Sequence, residues 1–131
     1  AWPEASDTYA PERFVELRPS HLRYHYPVTP DDLRPGQTVS GPTLMRLADI
    51  VSYALILAHL GEAALAVTTS LSIDFLRRPV GPVIVADCSM VKLGRSLAVF
   101  RVTMASAPEG ATARMDRPEA VANVTYSLAL T

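Results

Sequence analysis

The chain has 131 residues, enough for one hydrophobic core and too few for two, so a single domain is expected. Its 12 basic and 13 acidic side chains nearly cancel, which leaves no broad positive field for nucleic acid or an anionic membrane. The lone cysteine, Cys88, excludes an internal disulfide, and no Cys/His cluster has metal-ligand spacing, so a reducing cytoplasm and no bound metal are expected.

About half of the residues are apolar (49%), high for a short soluble chain, which points to apolar surface covered by other subunits. Residues 1–20 mix Pro3, Pro11 and Pro19 with charges and read as an N-terminal arm, with a short helix expected over residues 12–17. The opening AWPEASDTYAPERF lacks the basic and apolar regions of a secretory signal, so export is not expected. The domain proper is placed at residues 21–131.

Residues 22–28 alternate polar and apolar side chains and predict a strand, stopped by the turn residues Pro30, Asp31, Asp32, Pro35 and Gly36. A helix follows, with Ser40 and Gly41 in the cap region, Pro42 at the first helical position and Gly61 past its end. It is apolar on nearly every face, with Arg46 and Asp49 its only full charges, and is therefore expected to be buried all round. Two charges in its first half argue against a membrane span.

The pattern then changes to period two. Over residues 66–76, Val67, Thr69, Leu71, Ile73 and Phe75 are expected on one face, with Thr68, Ser70, Ser72 and Asp74 on the other. Strands over 83–93 and 96–105 are joined by a tight turn at Gly94 and Arg95, and a last strand covers 120–130. The connection SAPEGATARMDRP has no periodicity and is expected to be mobile. One strand, one long apolar helix and four antiparallel strands predict an α+β architecture in which a curved sheet wraps a single helix, the hot-dog fold.

The runs SGPTLMRLAD, VTTSLSIDFLRRP, KLGRSLAVFRV and VANVTYSL resemble hot-dog acyl-CoA thioesterases of the phenylacetate-degradation type, over roughly residues 25–130. The resemblance implies that Gly41 offers its backbone N–H to the thioester carbonyl and that Asp49, eight residues later, is the base or nucleophile. It implies that Thr68 lies near the acid. It also places Arg77 (with Arg78), Gly94 and Arg95 where relatives hold coenzyme A phosphates; Tyr53, one turn after Asp49, is a candidate for the acyl pocket. The family's opening His-Gly-Gly is here Ser40-Gly41-Pro42, and Pro42 has no N–H to donate. The Asn that many relatives carry before this turn is also absent, with Gln37 nearby.

Physical chemistry gives the same pair a role. The first N–H groups of a helix lack internal acceptors and carry the positive end of its dipole, which suits an oxyanion. A carboxylate two turns inside an apolar helix suits a general base. The alternative for Asp49 is a structural carboxylate satisfied by a hydroxyl or by Arg46. For Thr68, Tyr53 and the arginines, the alternatives are strand packing, core packing and solvated surface. The expected activity is acyl-CoA hydrolysis at sites shared between subunits of a homodimer that pairs into a homotetramer. Coenzyme A is part of the substrate, and no other cofactor is expected. A non-catalytic acyl-CoA-binding module and a hot-dog dehydratase are the alternatives, and the latter lacks a loop His. His21, His25 and His59 read as structural or surface residues.

Overall fold

The computed structural model describes residues 10–61, 64–108 and 112–130. Nine elements follow in order: β1 (Phe14–Arg18), β2 (His21–Pro27), β3 (Leu33–Arg34), β4 (Thr38–Val39), α1 (Gly41–Leu60), β5 (Ala64–Phe75), β6 (Val83–Leu93), β7 (Leu97–Ala107) and β8 (Ala120–Leu130). Six strands form one antiparallel sheet in the order β1-β2-β6-β7-β8-β5, and β3 pairs only with β4. The inward-facing residues of the sheet and one side of α1 make a single core, in which small residues (Ala86, Ala98, Ala122) admit the helix close to the sheet while Tyr24, Phe100 and Met104 fill the remainder. This is the hot-dog architecture.

The helix starts where its caps direct. Ser40 has extended backbone angles and its hydroxyl accepts the Thr43 N–H, while Gly61, at φ 73°, closes the far end with its N–H on the Leu57 carbonyl. Gly41 is the first helical residue and Pro42 the second, one position later than expected, and proline is tolerated there because that N–H has no helical acceptor either.

Three expectations are corrected. Residues 12–17 do not make a short helix. A single 3-10 turn over Pro11–Arg13 leads into β1, whose Phe14 packs edge-on against Tyr24 at 5.2 Å. Pairing with β2 across the Pro19–Ser20 turn supplies hydrogen bonds that so short a helix would lack. Nor is α1 buried all round. Leu44, Leu47, Val51 and Leu55 face the sheet, but Pro42, Met45 and Arg46 are exposed and Asp49 is half-buried, so one stripe of the helix is open in the single chain.

The third correction concerns β5. A bulge between Thr68 and Ser70 inserts one unpaired residue, Thr69, and reverses the inward and outward faces along the strand. Before it Ala66 packs on the core and Thr68 turns toward the helix; after it Leu71 and Ile73 take the inward positions. Val67, expected to share the face of Leu71, is 66% exposed. The turn between β6 and β7 spans Gly94, Arg95 and Ser96, closed by a Gly94 N–H to Leu97 carbonyl bond.

Candidate functional site

The first turn of α1 is held by a buried carboxylate beneath it. Asp32, 5% exposed, accepts bonds from the Tyr26 hydroxyl, the Thr29 N–H and hydroxyl, and the Thr43 hydroxyl. Its backbone carbonyl accepts the Ser40 N–H at 2.8 Å. Burial alone would raise the carboxyl's pKa, but the Thr29 N–H and the three hydroxyls outweigh it, so Asp32 is held below the ordinary carboxylate range. The Arg46 guanidinium donates to the Tyr26 hydroxyl at 3.0 Å and lies 5.7 Å from its ring centre. In the sequence Asp32 reads as one more turn residue. Its signal was the Thr29-Pro30-Asp31-Asp32 pattern, a capping box on a single 3-10 turn.

A cavity of about 690 Å³ opens against this turn, between the β3–β4 hairpin, the start of α1 and the chain leaving β5. Gly41, Leu44, Val39 and Phe75 line it, as do Arg34, Arg77 and Arg78. Among the described residues no carboxylate pairs with these three arginines, and Arg77 donates to the Arg117 carbonyl, at 3.3 Å. The Gly41 N–H has no acceptor among the described residues, whereas the Ser40, Thr43 and Leu44 N–H groups are engaged. Phe75 lies directly over Gly41: a Cβ built there would be 3.3 Å from the ring.

Asp49 lies two turns further along the helix. The Thr68 hydroxyl donates to its Oδ1 at 2.7 Å, and the Tyr126 hydroxyl lies 2.5 Å from the same oxygen. The Arg46 guanidinium is directed to Tyr26 and forms no ion pair with Asp49. Tyr126 in turn stacks on Tyr53 at 6.1 Å, which ties Tyr53 to the core beside the acid. The expected pairing of Thr68 with Asp49 is therefore present. Tyr126, absent from the sequence reading as a site residue, looked like one more inward strand residue in VANVTYSL.

Several candidates do not converge. Eight residues at about 1.5 Å rise each put Gly41 and Asp49 about 12 Å apart on one helix, too far for one thioester carbonyl to touch both. Gly94 and Arg95 lie in the β6–β7 turn, near the paired Ala98 and Tyr126, at the other end of the sheet from Gly41 and Arg77. Gln37, in the β3–β4 turn with φ 63°, is exposed and does not line the cavity. His21 lies between Glu16 and Asp87 on the outer face of the sheet, and His59 accepts the Ser20 N–H. Among the described residues no cluster of His, Cys, Asp and Glu could hold a metal.

A curved sheet wrapped on one long helix, with a basic-rimmed cavity at the helix start, defines the class as a hot-dog-fold protein. The Thioesterase superfamily sequence model matches residues 36–113, and the chain belongs to that family. Among solved structures it is similar to a Silicibacter sp. TM1040 protein carrying a thioesterase assignment, at 39% identity and TM-score 0.78 over 96% of this chain and 87% of that one. It also resembles a Streptococcus pneumoniae TIGR4 hypothetical thioesterase with coenzyme A (20% identity, TM-score 0.74, 90% and 85% covered). A Streptococcus mutans UA159 protein bound to acetyl-CoA is similar as well (22%, 0.72, 90% and 88%). No curated protein matches the sequence.

Proposed function

We propose that this protein hydrolyses acyl-CoA thioesters, with Asp49 as base or nucleophile and the Gly41 N–H as oxyanion donor. The observation that carries the reading is that unclaimed N–H, at the positive end of a 20-residue helix and on the wall of a cavity. An oxyanion forming on the thioester carbonyl would be its acceptor. Ser40 holds the N–H in place by capping the turn, and Pro42 fixes the next residue without competing for the anion.

Asp49 removes a proton from water, the hydroxide attacks the carbonyl carbon, and the tetrahedral intermediate expels the coenzyme A thiolate, which takes the proton. In the nucleophilic variant the carboxylate attacks first and water cleaves the anhydride. Base and oxyanion donor are both protein groups, so the chemistry needs no metal or organic cofactor. Arg34, Arg77 and Arg78 suit the coenzyme's phosphates, since guanidinium forks match phosphate oxygens and no carboxylate neutralises them. The coenzyme A and acetyl-CoA held by the two streptococcal neighbours favour this ligand class.

The separation of Gly41 from Asp49 favours a site shared between two chains. The β5 edge is long, unpaired and bears the exposed apolar side chains of Leu65, Val67 and Phe75, the kind of edge a second copy covers by continuing the sheet. Such a homodimer sets two α1 helices side by side over their open stripes, so Gly41 of one chain can face Asp49 of the other. A tetramer would add a second such pair. Release of free thiol from a panel of acyl-CoAs tests the reading: Asp49→Asn should lose about 100-fold or more. Equal rates in both proteins would refute it, and tight acyl-CoA binding without hydrolysis would make the protein a binding module.

A further inference from the structure

The hydroxyls of Tyr126 and Thr68 converge on a single oxygen of Asp49. Tyr126 is 2% exposed, and its ring is fixed by Phe100 edge-on (6.1 Å, 89°) and by Tyr53 stacked (6.1 Å, 15°). Its backbone is held from both sides, since Tyr126 is the register partner of Thr68 on β5 and of Ala98 on β7. The two hydroxyls thus arrive from adjacent strands at one level of the sheet, and the bulge at Thr69 permits Thr68 to face inward there. The Tyr126 hydroxyl also lies 3.0 Å from the Asp49 carbonyl, but it carries one proton and the carboxylate contact is the shorter. No described residue donates to Oδ2.

We infer that Tyr126 is a positioning residue of the hydrolytic site: with Thr68 it occupies Oδ1 of Asp49 and so leaves Oδ2 as the oxygen that meets water or the thioester. The inference rests on the hydrolytic reading above. A free carboxylate rotates about its terminal bond and offers either oxygen. Two donors on one oxygen stop that rotation. In the reaction Oδ2 takes a proton from water, the new hydroxide bonds to the carbonyl carbon, the carbon–sulfur bond breaks and the proton passes from Oδ2 to the departing sulfur. The bonds to Oδ1 persist throughout. The Tyr126 hydroxyl meets the acid and the residue does not line the cavity, so loss of that hydroxyl should act on turnover and leave substrate affinity alone.

The test is steady-state thiol release by wild type, Asp49→Asn, Tyr126→Phe, Thr68→Val and Thr68→Ser, each with its Tm measured. Tyr126→Phe keeps the ring and removes the donor. Its kcat should fall about 10- to 100-fold, the worth of one hydrogen bond to a charged group, with KM within about twofold. Thr68→Val, on the exposed edge strand, probes the same oxygen should Tyr126→Phe fail to fold; its kcat should also fall, and Thr68→Ser should restore it. Folded Tyr126→Phe with wild-type kcat, or a loss seen wholly in KM, overturns the assignment. So does wild-type kcat in Thr68→Val if Tyr126→Phe does not fold. If wild type hydrolyses no thioester, both this inference and the hydrolytic reading fail. If Asp49→Asn is dead and folded Tyr126→Phe keeps the wild-type kcat, this inference alone fails.

Discussion

Asp32→Asn is the sharpest test of how the chain holds its candidate site. The substitution preserves shape and removes the charge together with one acceptor. Three of the four donor groups around Asp32 are hydroxyls that can turn away, but the Thr29 backbone N–H, 2.8 Å from Oδ2, cannot. An amide NH2 placed there meets donor with donor, and an amide oxygen placed there leaves the NH2 facing the Tyr26 and Thr43 hydroxyls. At least one bond to a charged group is lost, roughly 1.5–3 kcal/mol, and one buried polar group loses its partner, about another 1 kcal/mol, so the total is about 3 kcal/mol. For a domain of this size that corresponds to roughly 12 °C in Tm. The pH dependence carries its own sign. The folded carboxyl sits below its ordinary range, so the folded protein binds this proton less readily than the unfolded chain does. The stabilisation is therefore complete above about pH 4 and lost as the pH falls below it. Thermal unfolding followed by circular dichroism from pH 3 to 7 should show wild type losing stability at the acid end and Asp32→Asn starting lower with a shallower slope. A variant within 1–2 °C of wild type, with the same acid slope, would refute the reasoning.

Other outcomes follow from the same geometry. Burial pushes the Cys88 thiol up to about 12, so native protein should not react with a disulfide reagent at pH 8, and reaction should begin only with unfolding. Rapid labelling of native protein would contradict the packing of α1 on β6. Replacing Arg34 and Arg78 with Gln should raise KM for acyl-CoA about tenfold and weaken its salt dependence, with kcat held; unchanged KM would place the phosphates elsewhere. Val67→Glu puts a charge on the open β5 edge and should shift the protein toward monomer in sedimentation, with thiol release falling in parallel. Full activity in a monomer would remove the case for a shared site.

The fold was legible where one physical signal dominated. The caps Ser40 and Gly61 and the mostly apolar run between them located α1, and the approximate period-two pattern gave β6 and β8 with the expected ends. The reading failed where one residue changes the count. Nothing local marks Thr69 as a bulge, since Val67-Thr68-Thr69-Ser70 alternates acceptably in either register. The strand β1 was hidden because its stability comes from pairing with β2 and from Phe14 on Tyr24, contacts that no window along the sequence contains. Of the candidate site, Gly41, Asp49 and Thr68 could be named from the resemblance and the spacing. Asp32 and Tyr126 were missed: the capping box at Thr29–Asp32 marks a turn but not the reach of Asp32 to Thr43, and Tyr126 acts through Asp49, 77 residues away.

The central claim is that hydrolysis takes Gly41 from one chain and Asp49 from another, and mixing two inactive variants tests it most directly. Gly41→Pro removes the N–H and adds a ring whose Cβ meets Phe75 at 3.3 Å, so the Phe75 ring must give slightly; proline otherwise suits the first helical position, and Ser40, at φ −72° and ψ 153°, already has the backbone a residue before proline prefers. Each variant, Gly41→Pro or Asp49→Asn, should be nearly inactive alone. After subunit exchange about half of the dimers should be hybrids, each with one intact site of two, so thiol release should recover to about a quarter of the wild-type rate. A mixture no more active than the mean of its two components would contradict the shared site.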